Sequence, residues 1–265
     1  MDQQDSEIVL LAGLPRTGST LLQNLLSQNP DVYSEGNSGL CTVMWDAKTS
    51  CEHNAAQQLI GVGKDVTFKN ALLKSMTSIY YPDIKGKIIL DKTRTWVNEA
   101  NICMARSYIS EDVKTIVMVR PLQEIVASFA KVSAKNNFDF SYEALLSEGN
   151  DFSREVYATH CAAKSKDPSF LFVSYDDVVS RAEETLSRIY KHIGKEPFAH
   201  NVHQVTQTVF EDDERNNMVG MHDIRPEIAK QGNEVVLPDW VKAACEDMTH
   251  AIFSEIDGID RAHAA

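Results

Sequence analysis

Gly13-Leu14-Pro15-Arg16-Thr17-Gly18-Ser19-Thr20 follows the apolar run Ile8 to Leu11 and precedes Leu21-Leu22-Gln23-Asn24-Leu25-Leu26. The order reads as strand, glycine loop and helix, the arrangement in which backbone N–H groups and a helix N-terminus together hold a phosphate-like anion. The spacing G-x-x-x-x-G-x-[ST] is that of a phosphate-binding loop, with Ser19 where a nucleotide triphosphatase carries its lysine. The cation stands three residues earlier, at Arg16. A loop without the lysine that serves β- and γ-phosphates is poorly suited to ATP.

Outward from this element, the apolar runs 87–91, 113–119 and 170–173 read as further buried parallel strands. Helical patterns occupy 20–27, 66–80, 96–109, 121–132, 152–164, 182–193 and 238–253. Strands alternating with helices imply right-handed crossovers and a parallel sheet covered on both faces. The expected fold is therefore α/β, a three-layer α/β/α sandwich of the P-loop kind. No repeat, low-complexity tract or Pro/Gly/Ser linker divides the chain, so one domain over 1–265 is expected, with an irregular, lid-like segment near 197–237.

The 265 residues carry 38 acidic against 26 basic side chains, a net charge of -12, which argues against a nucleic-acid or anionic-membrane surface. Cys41, Cys51, Cys103, Cys161 and Cys245 show no metal-ligand spacing and suit a reduced, intracellular chain without a structural metal. The acidic start Met1 to Glu7 lacks the features of a signal peptide, and no apolar run approaches the roughly 18 residues a membrane span needs. A cytoplasmic protein is expected. On so acidic a chain, an anion site has to be built locally.

The strand ends supply the parts. Ligands of open α/β sheets sit beyond the carboxyl ends of the strands. There the sequence places Arg16, then Asp91-Lys92-Thr93-Arg94, then Val119-Arg120-Pro121, then Ser174-Tyr175-Asp176-Asp177. Pro121 suits the first residue of a helix, and Ser128, seven residues later, lies on nearly the same helical face, about 10 Å along the axis. An arginine and a serine hydroxyl so placed can hold one phosphate, which with the glycine loop suggests a ligand bearing two separated phosphate-like groups.

In this order the motifs resemble those of the sulfotransferases that use 3'-phosphoadenosine-5'-phosphosulfate (PAPS). The resemblance covers about residues 7 to 195, including Tyr175-Asp176-Asp177-Val178 ahead of a helix closing on Ile193-Gly194. With Pro15-Arg16 in the loop, the chain looks more similar to tyrosylprotein, carbohydrate and bacterial types than to the cytosolic small-molecule enzymes. The resemblance implies that Pro15, Arg16, Thr17, Gly18, Ser19 and Thr20 bind the 5'-phosphosulfate. Arg120 and Ser128 would bind the 3'-phosphate, with Tyr175 and Arg225 beside the nucleotide.

The implied reaction is in-line transfer of the sulfuryl group to a hydroxyl or amine, leaving adenosine 3',5'-bisphosphate (PAP) and requiring no metal. Catalysis would rest on positioning and charge stabilisation. Arg16 and Lys92 would stabilise the leaving oxygen, and Arg94 stands where small-molecule members carry a histidine base. Two residues compete for the role of base here, Glu35 and His222. Two rival functions follow from the same residues. In a P-loop kinase, Ile88-Ile89-Leu90-Asp91 would be the strand whose aspartate holds the Mg²⁺ of Mg-ATP; the other rival is a non-catalytic nucleotide-binding protein of this fold. No motif names the acceptor or the oligomeric state.

Overall fold

The computed structural model describes residues 6–211, 213–215, 217–225, 227–228 and 235–256. Its centre is β1 (Glu7–Gly13), in which every residue after Glu7 is buried. On one side β1 pairs with β3 (Ile88–Lys92) and β3 with β2 (Val32–Asn37). On the other, β1 pairs with β4 (Lys114–Val119) and β4 with β5 (Phe170–Ser174). All pairings are parallel and the order is β2-β3-β1-β4-β5.

Period-two alternation divides the strand residues between two layers. Ile8, Leu10, Ala12 and Ile89 face a core shared with α2 (Leu40–Thr49), α4 (Asp65–Tyr80), α5 (Glu99–Tyr108), α6 (Leu122–Lys135), α8 (Asp151–Ser165) and α11 (Asp239–Phe253). Val9, Leu11, Ile88 and Leu90 face α1 (Ser19–Leu26), α9 (Tyr175–Ser180) and α10 (Ala182–His192). Two short helices, α3 (Ala56–Gly61) and α7 (Tyr142–Leu146), complete the series. The three-layer α/β/α expectation holds.

Five elements were not among those expected: β2, α2 and the short helices α3, α7 and α9. β2 is an edge strand bonded to β3 alone, with a register break between Ser34 and Asn37, and its Glu35-Gly36-Asn37 end carries a polar, turn-like signature. α2 buries Leu40, Cys41 and Met44, a spacing that does fit a helix face. Pro121 caps α6 in an extended conformation, so the helix starts one residue later than expected. Between α10 and α11 the described residues form no helix or strand; within that lid-like stretch, 212, 216, 226 and 229–234 lie outside the described residues, as do 1–5.

Asp91 belongs to the core. It is fully buried, and its carboxylate accepts from Ser38 Oγ at 2.6 Å, Tyr81 OH at 2.8 Å, Trp96 Nε1 at 2.6 Å and Thr93 Oγ1 at 3.4 Å. Burial raises its pKa, and the donors from Ser38, Trp96, Tyr81 and Thr93 pull it back. Ile89 and Asp91 face the α2 layer while Ile88 and Leu90 face α1, so Asp91 points away from the glycine loop. This corrects the kinase alternative, because the aspartate it assigned to magnesium is committed to the opposite layer. Ser38 also accepts the Leu40 N–H at 3.0 Å at the start of α2. Ser38→Ala is expected to lower stability by about 1–2 kcal/mol, seen as a lower urea midpoint; an unchanged midpoint would show that Asp91 is held without it.

Candidate functional site: an anion cavity at the carboxyl edge of the sheet

The loop after β1 turns through two left-handed residues, Arg16 at φ 65° and Gly18 at φ 84°. Alternation of this kind turns backbone N–H groups to one side as an anion nest. Thr17 is buried and spends its hydroxyl on Leu14 O at 2.7 Å, which closes the loop from inside. Gly18 is the N-cap of α1 and, among the described residues, no side chain caps it. The N–H groups of the first turn therefore face a cavity of about 380 Å³ that Pro15, Arg16, Gly18, Ser19 and Thr20 help to line.

Arg16 joins the loop to the end of β4, to α6 and to the stretch between α10 and α11. Its Nε donates to Ser128 Oγ on α6 at 3.0 Å, its Nη1 donates to Met221 O, and its backbone carbonyl accepts from Arg120 Nη1 at 3.1 Å. Burial, and Arg120 after it, push the Arg16 pKa below its ordinary value. Arg120 lies over the Tyr175 ring at 4.2 Å and is held by Glu124 Oε2 at 2.8 Å. A Cβ on Gly18 would come within 2.6 Å of Tyr175 Cδ2, so only glycine lets that ring close on the loop. Arg94, Lys131 and Arg225 add further positive charge to the walls.

Lys92 ends β3 on the α1 side and is almost fully buried. Its Nζ pairs with Glu211 Oε1 and donates to Thr20 Oγ1 at 3.4 Å. Desolvation lowers its pKa, which the Glu211 pair opposes. His222 Nε2 lies 3.4 Å from Glu211 Oε2. Its other ring nitrogen meets Asp213 Oδ1 at 2.5 Å while its backbone N–H donates to Asp213 Oδ2 at 2.9 Å. A two-point clamp of this kind fixes the ring, with Nε2 turned to the Glu211 carboxylate.

Most residues expected at the site converge: Pro15, Arg16, Gly18, Ser19, Thr20, Lys92, Arg120, Ser128, Tyr175, His222 and Arg225 all line the one cavity. Thr17 stands behind it. Glu35 does not reach it, since its carboxylate accepts from Tyr33 OH at 2.9 Å, on the other side of β2 from the Ser34 hydroxyl that meets α1 through Gln23. Sequence reasoning missed Glu211 and Asp213, which fall in the irregular segment near 197–237. It also missed Asn24, a buried amide among the leucines of α1 that accepts the N–H groups of Thr208 and Val209.

A parallel sheet between two helical layers, with a glycine loop, an uncapped helix N-terminus and basic side chains converging beyond its strand ends, fits a three-layer α/β/α fold of the P-loop-like kind. The chain belongs to the sulfotransferase family, whose profile matches residues 9–199. The sulfotransferase domain of the Synechococcus PCC 7002 olefin synthase superposes with a TM-score of 0.56 at 15% identity over 97% of this chain and 98% of that one. The sulfotransferase from Alicyclobacillus acidocaldarius gives 0.55 at 9% identity over 100% of both chains. Mouse sulfotransferase SULT7A1, solved with PAP, gives 0.50 at 12% identity over 99% of this chain and 91% of that one. At these identities the likeness speaks for the fold. No curated protein sequence matches the chain.

Proposed function

We propose that this sulfotransferase uses PAPS and transfers its sulfuryl group to a hydroxyl or amine acceptor. The observation that supports this most is the convergence of Arg120 and Ser128 with the glycine loop through Arg16, across 104 and 112 positions of sequence. Two anion-binding sets in one cavity fit a nucleotide with a 3'-phosphate and a 5'-phosphosulfate. The loop N–H groups, Arg16, Ser19 and Thr20 would hold the phosphosulfate; Arg120 and Ser128 would hold the 3'-phosphate; Tyr175 and Arg225 would flank the nucleotide.

When bound, the donor supplies an activated sulfuryl group whose displacement needs a stabilised leaving oxygen and a deprotonated acceptor. Lys92 provides the positive charge on the leaving side, and its lowered pKa makes its protons more readily shared with a developing oxyanion. His222 receives the acceptor proton at Nε2, with Nδ1 fixed by Asp213. Met221, His222 and Arg225, from the stretch between α10 and α11, form one wall of the cavity, which suits a lid. Five cysteines without a disulfide suit a cytoplasmic setting, and no helix among the described residues is long and apolar enough to cross a membrane.

Calorimetric titration tests the donor directly. PAP should bind without Mg²⁺ and be displaced by PAPS; binding confined to Mg-ATP would overturn the assignment.

A further inference from the structure

The residues leading to Glu211 run along α1 against the direction of the helix. Asn201 N–H donates to Gln28 Oε1 at 2.7 Å, just past the end of the helix. The N–H groups of Thr208 and Val209 donate to Asn24 Oδ1 at 2.6 and 2.8 Å. Thr20 Oγ1 then donates to Glu211 Oε1 at 3.5 Å. Gln28, Asn24 and Thr20 are spaced by four, a single stripe of a helix. The strap thus climbs one face of α1 and ends by setting a carboxylate beside its N-terminus.

There the carboxylate is fully engaged. Oε1 also pairs with Lys92 Nζ, while Oε2 accepts from Asn37 Nδ2 and lies 3.4 Å from His222 Nε2. The Glu211 and Lys92 side chains are 7% and 5% exposed. Gly36 makes room for the strap, since a Cβ there would sit 2.8 Å from both Phe210 O and Glu211 Cγ. An oxygen shared by a buried ammonium and a first-turn hydroxyl at a helix N-terminus occupies the setting in which an oxygen of a bound anion is stabilised. A buried ammonium without a partner is strongly unfavourable, so Lys92 needs such an oxygen whenever the cavity holds no ligand.

We infer that Glu211 is a resident substitute for the donor's anion, holding Lys92 until the phosphosulfate arrives and leaving Lys92 and Thr20 when it binds. The inference rests on the donor assignment made above. Donor binding then works against the closed carboxylate, and the apparent dissociation constant is the intrinsic one divided by the fraction of molecules in which Glu211 has moved aside. Neutralising the carboxylate raises that fraction. Gln28 and Asn24 hold the strap farther back, so the carboxylate can withdraw while the strap stays on α1.

The test is PAP titration by calorimetry on the full chain and on Glu211→Gln and Gly36→Ala, with circular dichroism confirming that each is folded. Glu211→Gln keeps an amide oxygen for Lys92 and is expected to bind PAP more tightly, by about tenfold if roughly a tenth of the unmodified molecules are open. Gly36→Ala displaces the strap sterically and is expected to tighten binding in the same direction. Unchanged or weaker PAP binding by folded Glu211→Gln, beside normal binding by the unmodified chain, overturns the inference. Tightening in Gly36→Ala alone also overturns it, by assigning the effect to steric blockage instead of charge. Absence of PAP binding in all three folded proteins overturns the donor assignment itself, and the inference with it.

Discussion

Replacing Lys92 by alanine is expected to lower sulfuryl transfer at saturating donor by about 10²- to 10³-fold, the loss typical of removing one preorganised electrostatic group. Lys92 is suited to this because it is buried, ends β3 on the α1 side and donates to Thr20 in the helix that follows the glycine loop. The variant also strips the counter-ion from Glu211, so Lys92→Ala combined with Glu211→Gln, which removes the unpaired carboxylate, is the companion control. Single-turnover transfer from PAPS, scored against a panel of hydroxyl and amine acceptors and against water, reads the effect. An unchanged rate would remove Lys92 from the chemistry. Failure of the unmodified chain to transfer to any acceptor, while still binding PAP, would favour the non-catalytic alternative.

Arg120→Ala should act on binding. Losing a charge-assisted contact to a phosphate costs about 1.5–3 kcal/mol, or about a 10- to 100-fold rise in the PAP dissociation constant. The selective signature is the ratio of PAP to AMP affinity. AMP lacks the 3'-phosphate, so the preference for PAP should shrink toward parity in the variant while AMP binding changes little. Arg120 also supports Arg16 O and lies on Tyr175, so a thermal melt must accompany the titration. Normal PAP affinity in a folded Arg120→Ala would refute its role.

The part of this molecule written locally in the sequence was readable. Buried parallel strands appear as short runs of β-branched and aliphatic residues, and β1, β3, β4 and β5 lie where such runs stand. β2 escaped because an edge strand answers to one neighbour only and tolerates a polar end such as Glu35-Gly36-Asn37. The cations at the strand ends were legible because topology alone carries strand termini to one edge of the sheet. Glu211 was not, since its partner Lys92 is 119 positions away and its neighbours are acidic, which reads as solvated loop. Glu35 is a strand residue aimed at Tyr33, whereas Glu211 is brought to Lys92 only by the strap along α1.

Asp91 and Lys92 are consecutive, yet one anchors a core and the other faces a ligand cavity. Four hydrogen bonds to Asp91 work as an indexing pin, because a slip of a single residue would turn the lysine into the α2 layer and bring an acid to the cavity. The aim of Lys92 is thus inherited from Ser38, Tyr81 and Trp96, none of which lines the cavity. Substitutions on that far side of the sheet would act as faults of alignment, with the groups that line the cavity left chemically intact.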